Sequence, residues 1–286
     1  MSKIGVMGGS GLYEIEGIKI KEEKTVNTPF GEPSGEFIIG ELEGREVVFL
    51  PRHDKGHLIN PSKINYRANV YGMKKLGVES IISITACGSL KEELKPMDFV
   101  IPLQFVDRTN QARQYTFFDE GIVAHTSFAK PVCENLAGIV HKAAKETGVT
   151  VHFGGTYINM EGPQFSTLAE SNLYRSWGMD IIGMTNMTEA RLAREAGICY
   201  ATLAAVTDYD CWHESHESVT VEVIIANLTK NVVNSKKILK NAVLKMGKER
   251  TCGCRDAMKY AIITDPKAIT AETKERLDVI IGKYVK

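Results

Sequence analysis

The chain has 286 residues, of which 43% are hydrophobic and 24% are charged. These values are ordinary for a globular protein and exclude a disordered chain or a fibrous repeat. Lysine plus arginine and aspartate plus glutamate both number 35, so no overall charge favours nucleic acid or an anionic membrane as a partner. The first residues have a strand pattern rather than a signal peptide, and no apolar run is long enough to cross a bilayer, so we expect a cytoplasmic protein.

Strand and helix patterns alternate along the chain. Apolar, β-branched segments predict strands at 3–7, 36–41, 45–50, 80–86, 99–106, 151–160, 180–184 and 199–206. Helical spacing and capping signals predict helices at 61–77, 132–147, 167–177, 188–196, 220–246, 256–263 and 271–284. The alternation is typical of an α/β fold with helices on both faces of a parallel or mixed sheet. We predict one domain over residues 1–286, with a helical C-terminal extension from about residue 247.

A glycine-rich loop, Gly8-Gly9-Ser10-Gly11, follows the first predicted strand. Such a loop can present backbone N–H groups to a phosphate or carboxylate, and Ser10 adds a hydroxyl. A dinucleotide-binding G-x-G-x-x-G motif has a different spacing and opens a helix, and the Gly-Lys-Ser/Thr of a P-loop is absent. The loop therefore indicates either an anion site or only a tight turn.

Two further strand ends carry groups that suit an anion. The strand at 45–50 is followed by four potentially cationic side chains, Arg52, His53, Lys55 and His57. Arginine offers a planar fork of donors that matches phosphate oxygens. The strand at 80–86 ends in Thr85 and small residues, whose hydroxyl and N–H groups could meet the same anion. A solvated loop after residue 51 is the alternative.

Asp208 and Asp210 follow the strand at 199–206, and Met184 and Thr185 end the strand before it. Open α/β sheets bind ligands at the carboxyl ends of their strands, so five polar strand ends together indicate one site. Two crowded carboxylates raise the pKa of one of them, which suits a general acid. The aspartate pair could instead bind a cation or face water.

Six cysteines are too few for a disulfide scaffold, and no C-x-x-C pair is present. No histidine or cysteine cluster lies close to Cys252 and Cys254 in sequence to complete a zinc site, although distant residues could. We interpret these two as structural or redox-exposed thiols and expect no metal site; a local disulfide between them would be strained. Cys87 has no assigned base and is interpreted as a packed cysteine rather than a nucleophile.

These motifs, in this order, resemble the 5′-methylthioadenosine phosphorylases of the trimeric purine nucleoside phosphorylase superfamily. The resemblance covers about residues 4–228. The matching motifs are Gly-Gly-Ser-Gly-Leu, Asn-Thr-Pro-Phe-Gly, Arg-His, Pro-Ser-Lys-Ile-Asn-Tyr-Arg-Ala-Asn, Thr-Ala-Cys-Gly-Ser-Leu, Gln-Phe-Val-Asp-Arg-Thr, Met-Glu-Gly-Pro-Gln-Phe-Ser, Gly-Met-Thr and Thr-Asp-Tyr-Asp-Cys-Trp. The family implies a nucleoside phosphorylase fold with a mixed, distorted barrel-like sheet flanked by helices.

The resemblance also implies a reaction, the displacement of adenine from a nucleoside by inorganic phosphate as co-substrate, without a cofactor or metal. It implies a phosphate site formed by Ser10, Arg52, His53, Thr85, Ala86 and Thr185. Asp208 would protonate purine N7, and Asp210 would accept a hydrogen bond from the 6-amino group. Met184 would contact the ribose and Phe165 would stack on the base.

At the 5′ end of the sugar, the resemblance implies an apolar lining for a methylthio group, formed by His57, Val221 and Ile224. Ser166 and Val221 would set specificity. His125 resembles a residue lent by a neighbouring subunit, which implies a homotrimer, although some relatives are hexamers. Nucleoside and phosphate are then the expected partners, with no role for nucleic acid or a membrane.

Four alternatives remain open from the sequence. A purine nucleoside phosphorylase of broader specificity would also accept adenosine or inosine, and a nucleosidase would use water in place of phosphate. A nucleoside-binding sensor would keep the site without the chemistry. A dinucleotide-dependent oxidoreductase is disfavoured by the glycine spacing.

Overall fold

The computed structural model of the protein describes residues 3–9, 12, 14–110, 113–213 and 221–285, with the backbone alone for residues 221–224. The strands among them are β1 (Lys3–Gly8), β2 (Lys19–Lys24), β3 (Phe37–Leu42), β4 (Arg45–Pro51), β5 (Val78–Ser89), β6 (Phe99–Ile101), β7 (Gln104–Arg108), β8 (Val151–Phe153), β9 (Thr156–Met160), β10 (Ile181–Gly183) and β11 (Cys199–Asp208). The α-helices are α1 (Tyr66–Lys75), α2 (Glu134–Glu146), α3 (Leu168–Ser176), α4 (Asn186–Glu195), α5 (Val221–Lys245) and α6 (Ala271–Ile281). None of the helices in these ranges has both the length and the apolar character needed to cross a lipid bilayer.

The strands form one mixed sheet that forks at β5. This strand pairs in parallel with β1 and β11, and its carboxyl end pairs antiparallel with β10. On one side the order continues from β1 through β4 and β3 to β2. Beyond the fork, one arm runs through β10, β9 and β7, and the other through β11, β6 and β8. The predicted single α/β domain with a mixed sheet is confirmed.

Helices cover both faces of this sheet. Val48 and Leu50 of β4 enter an apolar cluster with buried residues of α1, α4 and α6. Val47 and Phe49, which point the other way from the same strand, enter a second cluster with α2 and α5. Each fully buried aliphatic or aromatic side chain contributes about 1.5–3 kcal/mol. The two clusters hold the strand ends in fixed positions, which a site at those ends requires.

Two predicted strands are each divided in two. The segment predicted at 99–106 forms β6 and β7, because Pro102 between them has no backbone N–H to donate to a ladder. The segment at 151–160 forms β8 and β9, separated by Gly154 and Gly155 with φ angles of 107° and 88°. β2 was not predicted, because all six of its residues are exposed and mostly charged. It is an edge strand held by backbone pairing to β3.

The predicted helix at 256–263 is wrong. A 3-10 turn occupies Gly253–Asp256, and Ile262 forms an antiparallel bridge with Ala124. The N–H of Ile263 donates to the carbonyl of Val123 at 3.0 Å, and the N–H of His125 donates to the carbonyl of Ala261 at 2.8 Å. Pairing with a distant segment therefore replaces local helical bonds here. The last helix, α6, lies within its predicted range.

Candidate active site

A cavity of about 610 Å³ lies where β1, β4, β5, β10 and β11 end, with α5 along one side. Ten of the residues that the sequence singled out line it together: Arg52, His53, His57, Thr85, Ala86, Phe165, Met184, Thr185, Asp208 and Asp210. Nine of them belong to β4, β5, β10, β11 or the loops after these strands, as the sequence predicts for a ligand site in an α/β sheet, and Phe165 lies after β9. The structure thus brings the candidate anion groups and the aspartate pair into one cavity.

The other predicted site residues have different positions. Ser10 lies outside the described residues, as do the side chains of Val221 and Ile224. Ser166 follows the cavity residue Phe165, and its carbonyl accepts a hydrogen bond from the thiol of Cys211 at 3.4 Å. His125 is exposed and is not among the described residues that line the cavity of its own chain.

Only the first turn of α5, through Val221 and Ile224, was identified from the sequence, and the rest of what this helix contributes to the cavity wall was missed. Ile225, Leu228 and Val232 form an apolar part of the cavity wall, and Asn231 and Ser235 add polar groups. Asn231 donates from Nδ2 to the carbonyl of Val206 at 3.1 Å, which fixes α5 against β11. Among the described residues, its Oδ1 atom is buried without a partner. Two small polar residues four apart in an apolar helical pattern were the signal that could have identified this face.

Arg52 is 2% exposed and forms an ion pair with Glu189 of α4, which is fully buried. Its Nη2 atom donates to the Glu189 carboxylate at 3.2 Å and to the Ser83 hydroxyl at 2.6 Å. Burial alone would lower the pKa of Arg52, but the Glu189 carboxylate reverses this and raises it. The arginine is therefore a permanently charged, rigidly held part of the cavity wall. Sequence reasoning missed Glu189, although Leu192 and Ala193, three and four positions later, were the signal that places it on the apolar face of α4.

His53 has a defined tautomer in this site. Its Nδ1 atom lies 2.7 Å from the carbonyl oxygen of Ile59. Because a carbonyl can only accept, Nδ1 carries the hydrogen and the Nε2 atom has the free lone pair. Burial, together with the charge of Arg52, lowers the pKa of His53 to about 4. The ring is therefore neutral at physiological pH. It stacks on the His57 ring with 4.2 Å between the centroids.

Thr185 is the residue that precedes α4, and it is 3% exposed. Its hydroxyl makes no capping bond to the helix. The N-terminus of a helix carries partial positive charge and free N–H groups, both of which favour an anion. Together with the guanidinium of Arg52, this helix end gives one part of the cavity hydrogen-bond donors that suit an anion.

Asp208 ends β11 with both carboxylate oxygens held by its own chain. The Thr207 hydroxyl donates to Oδ2 at 2.6 Å and the Asp210 N–H donates to Oδ1 at 2.8 Å. Burial raises the pKa of Asp208 above its usual value, although these two hydrogen bonds act in the opposite direction. Gly88 of β5 makes room for the carboxylate, since a Cβ there would lie 2.9 Å from Oδ1.

Asp210 has a left-handed backbone with φ of 54°, which aspartate and asparagine tolerate better than most residues. Burial raises its pKa, and the neighbouring Ser171 hydroxyl opposes this shift. Its Oδ2 atom is buried and has no hydrogen-bond partner among the described residues. A buried acceptor of this kind, in a cavity wall, is suited to a donor on a ligand.

The cavity has two chemically different ends. Arg52 follows β4 and Asp208 ends β11, and the sheet order places β1 and β5 between these strands. Neighbouring strands lie about 4.8 Å apart, and three such spacings separate the two strands that carry these groups. An anion near Arg52 and a base near the aspartates would then bracket a group of the size of a sugar. The arrangement can hold an anionic nucleophile on one side and protonate a leaving group on the other.

Comparison with known proteins agrees with this geometry. The sequence profile of the phosphorylase superfamily matches residues 3–244. The chain is 60% identical over 282 residues to S-methyl-5'-thioadenosine phosphorylase of Geobacter sulfurreducens, covering 99% of both chains.

Solved structures show the same family relationship. A methylthioadenosine phosphorylase from an antarctic soil metagenomic library superposes with a TM-score of 0.93 at 47% identity, covering 98% of each chain. A variant of adenosine/methylthioadenosine phosphorylase from Schistosoma mansoni, in complex with methylthioadenosine, superposes with a TM-score of 0.81 at 39% identity, over 87% of this chain and 93% of that one. The chain therefore belongs to the phosphorylase superfamily, in the family of the S-methyl-5'-thioadenosine phosphorylases.

Proposed function

We propose that the protein catalyses the phosphorolysis of 5′-methylthioadenosine to adenine and 5-methylthioribose-1-phosphate. The observation that carries the proposal is a single cavity with donors suited to an anion, from Arg52 and Thr185, at one end and a buried carboxylate pair, Asp208 and Asp210, at the other. A phosphate oxygen forms a bond to the anomeric carbon while the bond from that carbon to purine N9 breaks. The electron pair of the broken bond stays on the purine, which takes up a proton at N7.

The phosphate would bind at the end of the cavity lined by Arg52 and Thr185. The Nη1 atom of Arg52 is the donor best placed for it, because Nε and Nη2 are engaged by Glu189 and Nη1 has only a 3.4 Å contact with the Ile84 carbonyl. Hydroxyls of Ser10, Thr85 and Thr185 and the N–H of Ala86 complete the expected set. The Nε2 lone pair of neutral His53 suits a protonated phosphate oxygen.

The purine would bind at the aspartate end. Asp208 donates its proton to N7, which requires the raised pKa that burial provides. The unpartnered Oδ2 atom of Asp210 accepts from the 6-amino group and would repel a 6-oxo group, which favours adenine over hypoxanthine. Phe165, which is 49% exposed at the cavity, stacks on the base, and Met184 lies along the ribose. As the ribosyl ring gains positive charge, the bound phosphate stabilises it.

The 5′ end of the nucleoside would lie against apolar groups of α5 and beside His57. Because His125 lies outside the cavity of its own chain and is exposed, we propose that it completes the 5′ pocket of a neighbouring subunit in a homotrimer. Ser166 and Val221 would tune this pocket. The reaction uses phosphate as co-substrate and no cofactor, and we place it in the cytoplasm.

A panel of nucleosides tests the proposal. We expect turnover of 5′-methylthioadenosine with phosphate, formation of the sugar 1-phosphate, slower turnover of adenosine and little of inosine. Turnover that continues without phosphate would identify a nucleosidase, and inosine as the best substrate would contradict the role of Asp210. Tight binding of 5′-methylthioadenosine without product would identify a binding protein.

A further inference from the structure

Four cysteines from distant parts of the sequence meet at one place in the fold. Cys133 precedes α2, Cys199 begins β11, and Cys252 and Cys254 flank the start of the 3-10 turn. Their sulfur atoms all lie within 4.8 Å of one another. We propose that this four-cysteine cluster binds one zinc ion.

The distances fit a tetrahedral ion. Zinc binds thiolates at about 2.3 Å, which places the four sulfurs of a tetrahedral site about 3.8 Å apart. The Sγ atoms of Cys199 and Cys252 are 3.2 Å apart, and every pair in the cluster is within 4.8 Å. Small side-chain rotations are enough to close such a set around an ion. Four sulfur donors in a closed arrangement are typical of a structural zinc site rather than a catalytic one, which keeps an open position.

The surroundings favour thiolates. Cys133 is the N-cap residue of α2, where the helix dipole stabilises negative charge. The Nη1 atom of Arg250 lies 4.0 Å from the sulfur of Cys199. Four thiolates and one divalent cation carry a net charge of −2, which the helix N-terminus and Arg250, whose charge is shared with Glu79, partly neutralise. Cys133 and Cys199 are buried and the other two are half-buried, so the cluster is largely shielded from water.

The backbone around the cluster holds the two separate parts of the chain together. Gly197 has φ of 65°, and a Cβ at this position would lie 2.9 Å from the carbonyl oxygen of Arg255. The turn before β11 therefore packs directly against the turn that carries Cys254. Gly253, between the two C-terminal cysteines, has open space on its Cβ side. The close approach at Gly197 brings the cysteines of both segments to the same point.

The site lies away from the active site. Cys199 and Asp208 are the two ends of β11, and a ten-residue strand is about 30 Å long. The ion would instead join the C-terminal extension to α2 and β11, and it would stabilise the turn that leads to the bridge between Ile262 and Ala124. The proposal concerns this attachment and does not depend on the substrate of the enzyme. It replaces the expectation, drawn from the sequence, that the protein holds no metal.

Metal analysis tests the proposal. The wild type and a Cys254→Ser variant are produced with zinc in the medium, purified in a non-chelating phosphine reductant, and measured by mass spectrometry of the metal. We expect one zinc per chain in the wild type and about tenfold less in Cys254→Ser. Cys211→Ser is the matched control, because it removes a cysteine outside the cluster and should keep the zinc. Equal zinc in Cys254→Ser and the wild type would overturn the proposal.

Two measurements on the wild type keep the test decisive if the variant does not fold. Cobalt exchanged into the protein should give intense thiolate-to-cobalt charge-transfer bands, and a chelator should lower the melting temperature. Wild-type protein that holds no zinc after supplementation contradicts the proposal. In that case the intact mass separates four free thiols from two disulfides, since two disulfides remove four hydrogen atoms.

Discussion

The backbone N–H of Asp210 donates to the Oδ1 atom of Asp208 at 2.8 Å, so the proposed reader of the purine amino group also positions the proposed proton donor. The bond comes from the backbone and not from the Asp210 carboxylate. Substitution of the Asp210 side chain can therefore leave this bond in place, and Asp208→Asn keeps the Oδ1 acceptor. The roles of the two carboxylates can be tested one at a time.

Asp208→Asn removes the proton donor and keeps the shape of the side chain. General acid catalysis contributes about 10²- to 10⁴-fold, so we expect kcat for 5′-methylthioadenosine to fall within that range. Steady-state kinetics measures this, with the KM for phosphate as an internal control that should change little. A variant that keeps half of the wild-type kcat would exclude Asp208 as the donor.

Thr207→Val tests the pKa of the same group. Asp208 must be protonated to act, so kcat/KM falls as the pH rises through its pKa, which burial raises. The Thr207 hydroxyl donates to the carboxylate and lowers that pKa. Its removal should move the alkaline limb of the pH–rate profile to higher pH. A shift to lower pH, or an unchanged limb, would contradict this assignment.

Asp210→Asn changes the acceptor for the 6-amino group into an amide that can also donate. Asparagine tolerates the left-handed backbone at φ of 54°, so the substitution adds little strain. Alanine is less suitable, because it tolerates this backbone conformation less well. We expect the preference for adenine over hypoxanthine nucleosides to fall by about 10- to 100-fold, equivalent to about 1–3 kcal/mol. Competition between 5′-methylthioadenosine and inosine measures it. An unchanged ratio would remove Asp210 from base recognition.

Glu189→Gln leaves the buried Arg52 without its counter-charge. Removing one member of a buried ion pair destabilises a protein by about 3–5 kcal/mol, and urea unfolding measures this loss. Glu134→Gln is the matched control, because Glu134 pairs with Lys130 and both side chains are more than half exposed. The control should change the free energy of unfolding by less than about 1 kcal/mol. Similar losses in both variants would mean that Glu189 does not hold the arginine.

The sequence predicts those features that depend on local pattern. The alternation of strands and helices and the motifs at strand ends led to the fold and to nine of the ten cavity residues, whereas Phe165 came only from the family resemblance. The charge partner of Arg52 was not found, because Glu189 is 137 positions away and is placed by helix packing. The predicted helix at 256–263 failed for the same kind of reason, since the bridge of Ile262 to Ala124 is a tertiary contact. The four-cysteine cluster also forms only when distant turns meet.

The contacts between the C-terminal extension and residues 123–125 have a consequence for the evolution of substrate range. The superfamily profile ends at residue 244, yet Thr264 accepts from the Val123 N–H at 2.7 Å and Ala261 accepts from the His125 N–H. In the proposed trimer, His125 serves a neighbour's pocket. Gain, loss or divergence of this tail during evolution would then shift His125 and change the substrate preference of a pocket in another subunit. No residue that lines that pocket would need to be substituted. Substrate range in such relatives should be compared with the tail included.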